Sequence, residues 1–175
     1  MHDNLLFPKN YYIKNKKMKR KFKILFFQNY LRMIKISKGS KMFQRLYVLE
    51  NGKKKDILEK GKLSCALFVS SILKIFDLIF LPHTTVKGTI NDMIQSGWKK
   101  TNELKPGNIL LWEKIKSTDN RVNEHLGFYL GKDKAISNSS EKGVPVIRHF
   151  TFGQDKSGKP KRKIIKIFTH KIING

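Results

Sequence analysis

GKLSCALFVSSILKIFDLIF, residues 61–80, is the stretch on which the reading of the fold turns. Its Cys65 is the only cysteine in 175 residues. Ser64 stands immediately before it, and serine is a favoured helix N-cap because its hydroxyl accepts an unpaired N–H of the first turn. With Ser64 as cap, Cys65 is the first helical residue, where unpaired amides and the helix dipole favour a negative group. A thiol so placed tends toward a lowered pKa and a nucleophilic thiolate. Behind it Ala66, Leu67, Phe68, Val69, Ile72, Leu73, Ile75, Phe76, Leu78 and Ile79 make the segment apolar on nearly every side. That pattern belongs to a helix in the middle of a core, and Pro82 is expected to end it. The competing reading is a buried structural cysteine, the ordinary fate of a free thiol.

Composition frames this core. A chain of this length is expected to form one domain with some decoration. A single cysteine excludes an internal disulfide framework and a cysteine-rich zinc site. Lys and Arg number 37 against 13 Asp and Glu, a net charge of +24, which predicts attraction to polyanions without choosing among nucleic acid, anionic lipid and acidic polymers. The opening MHDNLLFPKN lacks the basic segment and sustained apolar run of a secretory leader. The apolar run after Cys65 is interrupted by Ser70, Ser71, Lys74 and Asp77 and falls short of the roughly 20 residues that a membrane-spanning helix needs. A soluble chain without a transmembrane segment is expected, cytoplasmic by default or exported unconventionally.

Outward from residues 61–80 the chain divides into three. Residues 1–21 are rich in Lys and Arg and read as a poorly ordered basic tail. Residues 22–59 read as a helix and a hairpin: Phe22, Leu25, Phe26, Tyr30, Met33 and Ile34 recur at helical spacing, and Asn51-Gly52 is a strong hairpin signal after MFQRLYVL. Residues 60–175 read as the main domain. A second short helix is expected with Thr89 as cap and Gly97 as stop. Pro106-Gly107 marks a turn, and strands follow at NILLWE, HLGFYLG, AISNSS, VPVIRHFTF (with Pro145 suggesting an edge) and RKIIKIFTHKII. Helices first and about five antiparallel strands after them predict an α+β domain.

Three strings in this order carry a resemblance: SCALFV at 64–69, PGNILLW at 106–112 and HLGFYLG at 125–131. A cysteine opening a buried helix, a Pro-Gly turn into an apolar strand and a His-x-Gly-x-Tyr-x-Gly strand resemble the NlpC family, bacterial cell-wall cysteine peptidases with a papain-like fold. The resemblance spans about half the chain. It departs from the family at Ser64, Ala66, Leu67 and Asn108, which marks a divergent member or a neighbouring family. It implies a papain-like catalytic domain, a peptide or peptidoglycan-like substrate, and a third catalytic residue at Ser137 by register, with Asn138 beside it. It also likens Tyr47 to a tyrosine that the family places before its cysteine, although the spacing here is longer.

The chemistry of the residues stands beside that resemblance. A thiolate nucleophile needs a base, and the base needs an orienting partner. His125 opens a strand after a polar loop, so its ring can face a cleft while Leu126, Phe128 and Leu130 face the other way. Asn138 suits a Cys-His-Asn arrangement and Ser137 suits the register; neighbours on a strand face opposite ways, so only one can orient the ring. The backbone N–H of Cys65 is the natural oxyanion donor, with Tyr47 or Gln44 as a candidate side-chain donor, although burial statistics favour Tyr47 as a core residue. No histidine has metal-ligand spacing on one element, so neither a zinc site nor another cofactor is expected. The sequence thus points to a thiol hydrolase acting on an amide bond. A non-catalytic basic module binding nucleic acid or an anionic surface is a second reading, and a deacylase or acyltransferase on the same fold is a third.

Overall fold

The computed structural model describes residues 23–116 and 122–173; the basic tail expected at 1–21 lies outside the described residues. Three α-helices appear among them, α1 (Phe26–Ile36), α2 (Cys65–Ile75) and α3 (Val86–Gln95). A two-stranded hairpin joins β1 (Tyr47–Glu50) to β2 (Lys53–Asp56). Its turn residues Asn51 and Gly52 have φ of 52° and 75°, the left-handed pair that a two-residue hairpin turn demands. The remaining strands are β3 (Lys99–Thr101), β4 (Ile109–Lys116), β5 (Val122–Gly131), β6 (Lys134–Asn138), β7 (Pro145–His149) and β8 (Ile164–Thr169). They form one antiparallel sheet in the spatial order β3-β8-β4-β5-β6-β7. The α+β class is as expected. The strand count is not: six strands replace about five, because Lys99–Thr101, read as a connection, pairs with β8.

Strand alternation gives the sheet two different faces. Ile109, Leu111, Leu126, Phe128, Ile136 and Phe168 point to the helices and share one core with Tyr30, Phe68, Val69, Ile72, Leu73 and Met93. Phe68 sits edge-on to Phe128 at 5.5 Å between ring centroids, and Tyr30 to Phe76 at the same distance. A fully buried phenylalanine of this kind contributes about 3–5 kcal/mol when judged by truncation to alanine. The Tyr30 hydroxyl donates to the carbonyl of Gly107 at 2.9 Å. Gly107 has φ of +93°, and a Cβ there would lie 3.0 Å from the Tyr30 ring, so the Pro106-Gly107 turn is tied directly to α1.

The opposite face carries Leu110, Trp112, Tyr129 and Ala135, covered by Phe150 and Phe152. The cover is a strap, residues 150–163. It must cross this face because β7 is the outermost strand while β8 lies on the far side of β4. Trp112 Nε1 donates to the Phe150 carbonyl at 2.7 Å and pins the strap down. Gly127 also faces it: a Cβ there would meet the Ile136 carbonyl at 2.5 Å, Ser137 Cβ at 2.7 Å and the Trp112 ring at 2.9 Å.

Two helix boundaries differ from expectation. The helix α2 ends at Ile75, with Phe76 as its C-cap, rather than at Pro82, because Asp77 turns left-handed (φ 50°) and the Leu78 N–H returns to the Leu73 carbonyl at 2.9 Å. Leu78 and Ile79 remain buried, as parts of a loop rather than of the helix. The cap of α3 is Thr85, whose Oγ1 accepts from Gly88 N at 3.1 Å, whereas Thr89 is buried within the first turn. The strand β7 is an edge strand, as Pro145 suggests. Among the described residues no helix is long and apolar enough to cross a membrane.

Candidate active site

Cys65, His125 and Asn138, from three different elements, line one cavity of about 920 Å³ together with Arg148, Phe152 and Arg162. A more open depression of about 450 Å³ beside it is lined by Glu59, Lys60, Lys62, Ser140, Glu141, Lys142 and Gly143 and holds neither cysteine nor histidine.

Cys65 is half-buried at the start of α2. Ser64 occupies the cap position, but its backbone (ψ 2°) lies outside the extended conformation of a capping serine and its hydroxyl makes no capping bond. The hydroxyl is buried without a partner. The sulfur collects backbone N–H groups instead, from Leu126, Ala66 and Cys65 itself. Leu126 can serve because the ladder between β5 and β6 stops at Phe128–Ile136. Burial pushes the Cys65 thiol above its ordinary value; the Leu126 and Ala66 amides, the Arg162 charge and its own N–H oppose this without reversing it. The lowered pKa expected from a helix N-terminus is therefore not met, since desolvation outweighs the amides.

His125 pairs with Trp112 across β4 and β5. Its ring lies 5.6 Å from that of Trp112 and 5.9 Å from that of Phe152, so it sits on the strap side of the sheet. The register of β4 shifts between Trp112 and Ile115, next to this pair; such an irregularity bends a strand and re-aims its side chains. Burial, followed by the charges of Arg162 and Arg148, lowers His125 to about 3, so the imidazole is neutral at ordinary pH. Its Nε2 is buried and has no hydrogen-bond partner. Thiol and imidazole therefore open onto one cavity from the two sides of β5 without a bond between the sulfur and Nε2.

Alternation separates the two orienting candidates. Ile136 faces the helices, so Asn138 faces them too, on the side of Cys65. Its Nδ2 donates to the Gly61 carbonyl at 2.6 Å, and its Oδ1 is buried without a partner. Asn138 thus fixes the loop that leads to Cys65 and makes no bond to His125. Ser137 faces the strap side with His125, and its Oγ is likewise buried without a partner. Tyr47 is neither core nor cavity wall: it is half exposed on the hairpin, with Lys54 Nζ 4.0 Å above its ring. The reason is that β1 and β2 form their own sheet and do not extend the larger one.

Two arginines complete the wall, and the sequence reading passed over both. Arg162 is 9% exposed. Its Nε and Nη2 donate to the Glu113 carbonyl at 3.1 and 3.0 Å, and Nη2 also reaches the Asn123 carbonyl at 2.9 Å. Burial lowers Arg162 to about 10, with Cys65 and Glu113 opposing and Arg148 adding to the fall. The guanidinium carbons of Arg148 and Arg162 lie 4.6 and 5.4 Å from the centre of the Phe152 ring. The sequence places Arg162 at the start of the last strand, RKIIKIFTHKII, but β8 begins at Ile164 and Arg162 lies at the end of the strap instead; Arg148 lies in the edge strand β7. Only the choice of arginine among so many lysines hinted at a fixed, planar contact. Among the described residues no group of three or more His, Cys, Asp or Glu is placed to hold a metal ion. No family model matches the chain, and a search of curated proteins likewise finds no match.

Proposed function

We propose that this protein is a papain-like thiol hydrolase, related to the NlpC-type peptidases, that cleaves an amide bond with Cys65 as nucleophile and His125 as base. The observation that carries the reading is the convergence of Cys65, at the N-terminus of a buried helix, and His125, on a separate strand, upon one cavity. In this mechanism the substrate draws the two together, as catalytic hydrogen bonds tighten in a Michaelis complex. The Cys65 proton passes to His125 Nε2 and the sulfur attacks the carbonyl carbon. The backbone N–H groups at the start of α2 stabilise the oxyanion. The imidazolium then protonates the leaving amine, and water, deprotonated by the same imidazole, hydrolyses the thioester and regenerates the thiol. Ser137 stands on the side from which Nδ1 can be held, and Asn138 positions the loop before Cys65. The three matching strings favour peptidoglycan stem peptides as substrate.

A chromogenic ester tests the chemistry without assuming the peptide. Acylation by p-nitrophenyl acetate should give a burst of about one equivalent per chain, absent in Cys65→Ala and slowed roughly 100-fold in His125→Ala. An equal burst rate in His125→Ala overturns the assignment of the base, and a burst in Cys65→Ala overturns the nucleophile. Mass spectrometry of a muropeptide digest then tests the substrate, each cleavage adding one water.

A further inference from the structure

Among the described residues the two arginines in the cavity wall have no acidic side chain within ion-pair distance. Arg162 is bound only to main-chain carbonyls, and the Glu113 carboxylate beside it accepts instead from Lys163 N at 2.7 Å. Arg148 has its Nε buried without a partner, and Glu141 acts on it only from a distance. Both guanidiniums flank one aromatic ring, and Arg162 feels the like charge of Arg148. Buried charges are ordinarily paired, and a like-charged pair disfavours the charged forms of both. Here two cations are held close together beside the sole thiol, with Lys62, Lys114 and Lys116 further round the wall against Glu124 and Glu141. A planar guanidinium fork matches a carboxylate bidentately.

We propose that Arg148 and Arg162 form a carboxylate-binding site beside Cys65, so that the amide substrate carries a carboxylate close to the bond that is cut. This rests on the hydrolase reading of the same cavity and adds the substrate class. It also gives substrate binding a chemical consequence. The charges of Arg162 and Arg148 are part of what keeps His125 from holding a proton. A carboxylate between them offsets that field and raises the basicity of the imidazole, so the base gains strength as the correct substrate arrives.

Cys65 is the only cysteine, so alkylation reports on this site alone. The measurement is the ratio of alkylation rates by iodoacetate, which carries a carboxylate, and iodoacetamide, which is neutral, on the full chain. The ratio should exceed that of N-acetylcysteine at the same pH by at least tenfold. It should fall about tenfold in Arg148→Gln and by a smaller factor in Arg148→Lys, which keeps the charge but loses the fork. The fork is that of Arg148, because the Nε–Nη2 edge of Arg162 is already taken by main-chain carbonyls. Glutarate at fixed ionic strength should protect Cys65 from iodoacetamide better than inorganic phosphate does. A ratio at or below that of N-acetylcysteine, unmoved by either arginine variant, overturns the site, and protection by phosphate but not glutarate overturns its assignment to carboxylates. Folding of each variant is checked by circular dichroism, and the iodoacetamide rate serves as an internal control. The two proposals fail separately: a high ratio without an ester burst removes the hydrolase alone, and a burst with a flat ratio removes the carboxylate site alone.

Discussion

A histidine held neutral leaves a signature in stability as well as in chemistry. His125 falls from its ordinary value to about 3, chiefly through burial. Below the unfolded value of about 6.5 the unfolded chain binds a proton that the folded chain refuses. Stability should therefore fall as the pH drops from about 6.5 toward 3, at up to ~1.4 kcal/mol per pH unit before discounting for partial exposure. His125→Leu should flatten the urea midpoint between pH 7 and pH 5, and a wild-type midpoint that is constant over that window would contradict the burial argument. At this scale the sequence showed chemical type but not surroundings. HLGFYLG marked His125 as a strand residue with a polar role, yet Trp112 and Phe152, which remove it from water, come from β4 and the strap. Arg162 was hidden for the same reason: nothing local separates one buried guanidinium from the lysines around it.

Among the elements, α3 is held to the chain before it by a single carboxylate. Asp92 is 6% exposed and accepts from Phe80 N at 2.8 Å, Leu81 N at 3.0 Å, Ser96 Oγ at 3.0 Å and His83 Nε2 at 2.7 Å. Burial raises its pKa, but the Phe80 amide, His83, the Leu81 amide and Ser96 outweigh it and hold the carboxyl below its ordinary value. Its stabilisation is present above the unfolded value of about 3.9 and is lost as the pH falls through the lower folded value, a window below that of His125. Asp92→Ala should cost about 3 kcal/mol, read as a lower urea midpoint at pH 7, and a change within ~0.5 kcal/mol would show that the loop at 80–83 holds itself. Element types were legible where a period or a turn residue announced them, as with the alternation of Leu126, Phe128 and Leu130 in β5 and with Asn51-Gly52. The end of α2 was not, because an apolar run looks the same in a helix and in a buried loop. The short β3 escaped because its three residues gain their meaning only from β8.

For the whole molecule, charge is the dominant global property. With +24 on 175 residues, self-repulsion works against the compact state. Raising the ionic strength from about 0.05 to 0.5 M shortens the screening length to a few ångströms and should raise Tm by several degrees, whereas a fall in Tm would mean that specific ion pairs outweigh the repulsion. The α+β class could be read from the order of the elements, but the order of strands in the sheet could not. Pairing between residues far apart leaves no local pattern, and β8 enters between β3 and β4 although it comes last in sequence among the strands.

That insertion has a temporal consequence. During synthesis the helix bearing Cys65 leaves the ribosome about ninety residues before β8 does. The sheet it must rest on cannot close until that late strand threads between two earlier ones, a distant pairing of the kind that makes folding slow. Arg162 arrives with the same late segment. The wall around Cys65 is therefore among the last parts of the molecule to be assembled, and a nascent or truncated chain carries its cysteine without the surroundings proposed to make it reactive.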